Sequence, residues 1–167
     1  MSDEQGPEFD RILAANARYA AGFELGGLPA PPRRKLAVIA CMDARLDVED
    51  ALGLAPGDAH IIRNAGGLAT DDAIRSLVIS QQILGTDAVL IIEHTGCGLL
   101  SLDEPDVRRR LVGRTGHEAE FPLHAFDDLE ANLRAQIGRI RAHPWTRDAH
   151  VRGLIYDVDT GRLHEPA

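Results

Sequence analysis

Three kinds of residue are scarce in this chain of 167 amino acids, and each shortage excludes a class of protein. Cysteine occurs only twice, which rules out a small fold held together by several disulfides. Aromatic residues make up only 4% of the chain, so aliphatic side chains must fill the core. Basic residues number 18 against 26 acidic ones. The resulting net charge of −8 repels a phosphate backbone, so we expect no nucleic-acid partner.

Long hydrophobic runs are missing as well, which argues against a membrane-spanning helix. No stretch approaches the ~18 apolar residues that a bilayer requires. Residues 1–5 are acidic where a secretory signal would be basic, so we expect a cytoplasmic protein without a membrane partner. In a reducing compartment, two cysteines are more typical of a metal site, a catalytic group or the core than of a disulfide.

Short apolar runs alternate with helical patterns along most of the chain, and this alternation predicts an α/β fold. The apolar runs predict buried parallel strands at 35–40, 60–62, 88–92 and 151–156. Helical spacing of apolar residues predicts helices at 46–52, 71–84 and 126–142, with a surface loop at 113–122. A turn at 159–162 would allow a fifth, antiparallel strand at one edge. The expected architecture is a mainly parallel four-stranded sheet flanked by helices.

We expect one domain over residues 1–167, because a chain of this length can build a core without disulfides. Within it, residues 1–27 form an N-terminal helical arm, 35–157 the α/β core, and 158–167 a tail. The predicted helix of the arm has an apolar face that a small sheet domain does not need. We therefore expect this helix to pack on a partner subunit.

The two cysteines each lie beside an apolar run, among other good metal ligands. Cys41 begins the motif at 41–45, and Cys97 ends a motif that begins with His94. The carboxyl ends of neighbouring parallel strands gather at one edge of a sheet, so the two motifs are expected to converge. Two thiolates and one imidazole form a plausible set of three ligands for a zinc ion.

Asp43 and Arg45 bear on the fourth position of such a zinc site. The Asp43 carboxylate could bind the metal and close the site, or pair with Arg45 and leave the position open. An open position lowers the pKa of bound water to about 7 and favours a hydration or hydrolysis catalyst. A closed position is typical of a structural or redox-sensing zinc protein, and the residues alone leave both interpretations open.

The motif at 41–45, together with 94–98 and 62–67, resembles the signature of the β-class carbonic anhydrases, in the compact bacterial and mycobacterial type. The resemblance implies a zinc-dependent lyase that converts carbon dioxide reversibly to bicarbonate and a proton. It also implies a homodimer or a dimer of dimers, in which the N-terminal helix lies over the partner subunit.

Matched by position, the resemblance assigns a role to each residue of the site. Cys41, His94 and Cys97 resemble the zinc ligands, and Asp43 would be a fourth ligand only in a closed state. Asp43 and Arg45 resemble the catalytic dyad. The backbone N–H of Gly98 resembles a substrate contact.

Other interpretations of the same residues stay open at this point. A carbonyl sulfide or carbon disulfide hydrolase would use the same scaffold and the same ligands, and a non-catalytic zinc or redox-sensing protein is the remaining alternative. Val38 stands where members with a regulatory bicarbonate pocket carry tryptophan, although Arg63 matches another residue of that pocket. His60 is either a proton shuttle or a structural histidine.

Overall fold

The computed structural model describes residues 6–147 and 150–166, which form one mixed sheet with helices around it. The strands are β1 (Leu36–Cys41), β2 (Ala59–Asn64), β3 (Ala88–His94), β4 (His150–Tyr156) and β5 (Leu163–His164). The α-helices are α1 (Gly6–Ala21), α2 (Val48–Leu52), α3 (Asp71–Gln82), α4 (Glu104–Thr115) and α5 (Leu129–Ala142). A short 3₁₀ turn, Ala65–Gly67, follows β2.

The strands lie in the order β2-β1-β3-β4-β5. The pairs β1–β2, β1–β3 and β3–β4 are parallel, whereas β5 pairs antiparallel with β4. The predicted parallel sheet with an antiparallel fifth edge strand is therefore confirmed. Strand β2 lies on one side of β1 and strand β3 on the other, so the chain crosses over β1 between β2 and β3. In such sheets the carboxyl ends of β1 and β3 flank the crevice where ligands bind.

The structure differs from the sequence prediction mainly between residues 104 and 128. Helix α4 lies where the pattern predicts no helix and extends into the predicted loop at 113–122. Its Asp103 N-cap and the left-handed Gly116 after it define its ends. None of its residues is buried, so it lacks the apolar stripe on which the prediction depends. Helix α5 begins at Leu129 rather than at 126, because the Asp128 side chain caps its N-terminus.

The core has two layers, one on each face of the sheet, because successive strand residues point to opposite faces. One layer joins the strands to α3 and α5, and its large members are Ile39, Leu77, Ile91, Leu133 and Ile140. The other packs near α2 and the loops that carry the cysteines, and it contains Val38, Leu46, Val48 and Ile92. The large buried hydrophobic side chains are aliphatic, as the shortage of aromatic residues requires.

Helix α1 contributes nothing to this core. None of its residues is buried, although it carries several large apolar side chains. Among residues 6–147 and 150–166, no helix combines the length and the hydrophobicity needed to cross a membrane.

Candidate metal centre

The predicted ligands meet at the carboxyl ends of the two central strands. Cys41 is the last residue of β1, His94 is the last residue of β3, and Cys97 follows in the loop after β3. All three residues are buried, and their ligand atoms lie within 4.8 Å of one another. Strands β1 and β3 are paired in parallel, which brings residues more than fifty positions apart in the chain into one cluster.

The His94 ring is oriented so that one nitrogen is free for a metal. Its Nδ1 atom lies 2.9 Å from the backbone oxygen of Thr95, to which it donates a hydrogen bond. Its Nε2 atom is buried and has no hydrogen-bond partner among the described residues. A buried polar atom without a partner costs free energy, and binding a metal ion would remove that cost. The side chains present therefore fit a zinc ion.

The two thiols differ in how readily they ionise. Burial acts to raise the pKa of Cys41, but the neighbouring His94 and the backbone N–H groups of Asp43 and Gly66 outweigh it and lower the pKa to about 7. Burial raises the pKa of Cys97. A cation between the two sulfur atoms would favour both thiolates, because only the deprotonated thiol is a metal ligand.

Asp43 is paired with Arg45 through both carboxylate oxygens. The Arg45 Nε atom donates to Oδ1 at 2.9 Å, and Nη2 donates to Oδ2 at 2.7 Å. These hydrogen bonds hold the pKa of Asp43 well below its usual range. The Oδ2 atom also lies 3.7 Å from His94 Nε2, so the carboxylate borders the place where a metal would bind. The pairing of Asp43 with Arg45 that the sequence allows is therefore present.

Arg45 also ties the two ligand-bearing loops together. Its Nη2 atom donates to the backbone oxygen of Gly96 at 3.0 Å. Gly96 has a φ of 62°, a left-handed conformation that side-chain-bearing residues rarely adopt. The same guanidinium thus contacts the loop after β1 and the loop after β3.

A small cleft of about 200 Å³ opens beside the ligands. Besides Cys41 and Cys97, it is lined by Met42, Asp43, Ala65, Gly66, Gly98 and Leu99. Most of this lining is apolar, and the volume is below that of a typical drug-sized pocket, ~300–1,000 Å³. Gly98, the predicted substrate contact, lies in the wall of this cleft.

The structure also shows what Arg63 and His60 contact. Arg63 donates from Nε to the backbone oxygen of Cys41 at 3.0 Å, and from Nη2 to that of Asp43 at 2.7 Å. Arg63 therefore braces the loop that carries both a candidate ligand and the candidate dyad. His60 lies beside Ala37 in the sheet register, away from the carboxyl ends of the strands, and its Nδ1 atom is 2.7 Å from the Ser80 Oγ. These contacts favour the structural interpretation of His60.

Sequence patterns did not single out Glu93, which precedes His94 and is buried on the opposite face of the sheet. Burial raises the pKa of Glu93 to about 8, against the opposing hydrogen bond from Asn132. One signal was available, since Glu93 is the only charged residue in an otherwise apolar strand up to His94. A carboxyl group buried at that position needs a hydrogen-bond partner in the protein interior.

Comparison with known proteins identifies the family. The profile of the family described as carbonic anhydrase matches residues 36–163. Beta-carbonic anhydrase 1 of Mycobacterium tuberculosis is 44% identical over 157 residues, which cover 93% of this chain and 96% of the relative. The chain belongs to the β class of the carbonic anhydrases. The resemblance noted in the motifs is thereby confirmed.

Solved structures agree with this assignment. The carbonic anhydrase of Streptococcus mutans superposes on this carbonic anhydrase with a TM-score of 0.90 and 42% identity, covering 95% of this chain and 97% of the other. A carbon disulfide hydrolase of Acidithiobacillus thiooxidans is also related, at 34% identity over 99% of this chain and 92% of the relative. The higher identity to a carbonic anhydrase favours carbonic anhydrase activity over the hydrolase alternative.

Proposed function

We propose that this β-carbonic anhydrase converts carbon dioxide reversibly to bicarbonate and a proton, with one zinc ion held by Cys41, His94 and Cys97. The observation that carries the proposal is His94, whose buried Nε2 atom has no hydrogen-bond partner among the described residues. One ligand atom each from His94, Cys41 and Cys97 lie within 4.8 Å of one another. A zinc ion bound there would supply Lewis acidity, which lowers the pKa of water to about 7.

Asp43 and Arg45 prepare the attacking oxygen in this scheme. Both Asp43 oxygens receive hydrogen bonds from Arg45, which fixes the carboxylate beside the ligands. A carboxylate held there can accept a hydrogen bond from the attacking oxygen and turn its lone pair towards the carbon of carbon dioxide. Because Asp43 is engaged by Arg45, it would leave the fourth position of a bound zinc ion free for this chemistry.

The cleft walls favour a small, uncharged substrate. Ala65 and Leu99 present apolar surface beside the ligands, which suits carbon dioxide and limits competing water. The backbone N–H of Gly98 would donate a hydrogen bond to a substrate oxygen and stabilise the negative charge that develops on it. The product bicarbonate is charged and leaves this apolar cleft for solvent.

Metal analysis and kinetics test the proposal together. We expect about one zinc per chain, and we expect Cys41→Ser and Cys97→Ser each to lose it. In stopped-flow assays, carbon dioxide hydration should rise with pH through about 7, the pKa of the activated water. Full zinc occupancy in either serine variant would refute the ligand set. A zinc-loaded protein that stays inactive above about pH 8 would refute the activity.

The relationship to a carbon disulfide hydrolase calls for one parallel assay. Hydrogen sulfide release from carbon disulfide and carbonyl sulfide, measured on the same zinc-loaded sample, should be far slower than carbon dioxide hydration. The reverse order would favour the hydrolase.

We also propose that the protein acts as a homodimer, alone or as a dimer of dimers, in the cytoplasm. The apolar side chains of α1 support the dimer, because Phe9, Ile12, Leu13 and Tyr19 are each more than half exposed in the single chain. A second copy that covers this face would remove the apolar surface from water.

The proposed cytoplasmic location is supported by the cysteines. The thiols of Cys41 and Cys97 are free, which suits a reducing compartment.

A further inference from the structure

A chain of hydrogen bonds runs through the interior behind the metal ligands. The Asn132 Nδ2 atom donates to Glu93 Oε1 at 2.8 Å, and the Gln136 Nε2 atom donates to Asn132 Oδ1 at 3.1 Å. The backbone N–H of Ala69 then donates to Gln136 Oε1 at 3.0 Å. This chain, from Ala69 through Gln136 and Asn132 to Glu93, connects the loop after β2 to the end of β3 by way of α5.

The links of this chain reinforce one another. Asn132 and Gln136 lie one turn apart on α5, a spacing at which side-chain amides meet. Every donor points towards Glu93, so each hydrogen bond polarises the next. Glu93 is only 1% exposed and directly precedes His94 in β3. This series of hydrogen bonds therefore ends at the residue that precedes the candidate metal ligand His94.

At its other end, this series of hydrogen bonds contacts the segment 65–69, which forms one wall of the cleft and is called the cleft floor below. Ala65 and Gly66 line the cleft, and Gly67 lies so close to the strand ends that an added Cβ would be 2.6 Å from the Ile92 oxygen and 2.8 Å from the Cys41 nitrogen. Ala69, which is fully buried, follows two residues later and is held by Gln136. A shift at Ala69 would thus be passed to the backbone of Cys41 through rigid contacts.

We propose that Gln136 is a positioning residue for the reaction, holding the 65–69 segment against the strand ends so that the cleft floor keeps its place relative to the ligands. This inference rests on the proposed function only for its kinetic consequence. Gln136 acts through Ala69 and Asn132 and touches no reacting atom.

The first test compares two glutamines that each make two hydrogen bonds, Gln136 half-buried in α5 and Gln82 exposed at the end of α3. Gln136→Met removes both hydrogen bonds while keeping side-chain length and helix propensity. Gln82→Met is the control, because Gln82 also bonds a backbone group, the Trp145 oxygen, but lies near the end of α3 and away from the ligands. With zinc content equal to wild type, we expect kcat to fall about tenfold in Gln136→Met and to stay unchanged in the control. The KM should change little, since only the transition-state geometry is lost.

A second readout does not depend on activity. The absorption bands of the cobalt-substituted protein report the geometry of the thiolate and imidazole ligands, and amide exchange reports the hydrogen bond of Ala69. We expect Gln136→Met to shift the cobalt bands and to speed exchange at Ala69, with both unchanged in Gln82→Met. If wild type were inactive, the proposed function would fail while these two measurements still tested Gln136.

Gln136→Glu distinguishes the role of the Ala69 contact from a general loss of stability. It keeps the oxygen that accepts from Ala69, so it should recover at least half of the lost kcat and the wild-type exchange rate at Ala69. The proposal is overturned if Gln136→Met keeps wild-type kcat and cobalt bands. It is also overturned if Gln136→Glu loses as much kcat as Gln136→Met, or if Gln82→Met does.

Discussion

At the scale of single residues, the chemistry of Asp43 depends on two neighbours, Arg45 and His94. Its carboxylate is bonded by Arg45 through both oxygens, yet Oδ2 is only 3.7 Å from the His94 Nε2 atom. The guanidinium therefore keeps the carboxylate ionised and fixes its orientation beside the candidate ligands. In the proposed function, the pair leaves the fourth metal position open and places a hydrogen-bond acceptor next to it.

Asp43→Asn should keep zinc and lose rate. The amide cannot accept the same hydrogen bonds from Arg45, so we expect kcat/KM to fall on the order of 10- to 100-fold, the range for residues that orient metal ligands or bound water. Zinc content by elemental analysis and stopped-flow rates measure the two effects. Unchanged rates would contradict the dyad role.

The lowered pKa of Asp43 also makes a pH prediction. Its stabilising pair with Arg45 is present above the ordinary carboxyl pKa and is lost only as pH falls through the lowered value. The carboxylate thus stays ionised between about pH 5 and 8. The dependence of kcat/KM on pH in wild type should show no ionisation of Asp43 in that range. A change of kcat/KM with pH that is present in wild type and absent from Asp43→Asn would contradict this.

Arg63 should influence metal affinity rather than chemistry. Arg63→Met removes two hydrogen bonds to the backbone of Cys41 and Asp43, so the loop becomes less well ordered for binding. We expect zinc affinity, measured by competition with a chelator, to fall roughly 10- to 100-fold. Arg75→Met is a matched control, since Arg75 pairs with Asp72 on the surface of α3. Equal affinities in the two variants would refute the bracing role.

At the scale of elements, the site depends on how closely the turn after β2 approaches β1 and β3. Gly67 has a φ of 69°, and no Cβ fits between it and the backbone of Cys41 and Ile92. This contact joins three carboxyl strand ends into one rigid edge. The loops that carry the ligands are positioned by that edge.

Gly67→Ala should therefore destabilise the protein strongly. The strained φ and the overpacking together cost about 2–5 kcal/mol in the free energy of unfolding. The control is Gly138→Ala in α5, where no atom lies within 4 Å of an added Cβ. That substitution should stabilise the protein by about 0.5–1 kcal/mol through helix propensity. Denaturant unfolding measures both, and a neutral Gly67→Ala would contradict the close approach.

At the scale of the whole molecule, helix α1 has no place in the core of its own chain. Its residues are all unburied, whereas the sheet is covered on both faces by other elements. A partner copy is the simplest cover for such a face.

Replacing Phe9 and Leu13 together by serine should convert the proposed dimer into a monomer, because two large exposed apolar side chains are lost from α1. Light scattering coupled to size exclusion gives the mass directly. Phe121→Ser serves as the control, since Phe121 is 64% exposed but lies outside α1. A double variant that still has the dimer mass would contradict the role of α1.

The sequence by itself determined the fold class and the family, and it picked out the three buried residues that could hold a metal ion. Short apolar runs encode buried strands, and the residue types at 41, 94 and 97 carry the chemistry of a zinc site wherever they meet. These are local properties, which can be read from neighbours in the chain. Helix α4 was missed because it buries no side chain, so its sequence lacks the stripe that marks a packed helix.

Only the tertiary structure decided how these parts are paired. It placed Asp43 on Arg45, Arg63 on the Cys41 loop and Gln136 on Ala69. The last two contacts join residues 22 and 67 positions apart. Asp43 and Arg45 are near neighbours in the chain, but only the fold places their pair beside His94, with Asp43 Oδ2 3.7 Å from Nε2. Hydrogen bonds require distances near 3 Å, which residue types alone do not determine and which the packed sheet imposes.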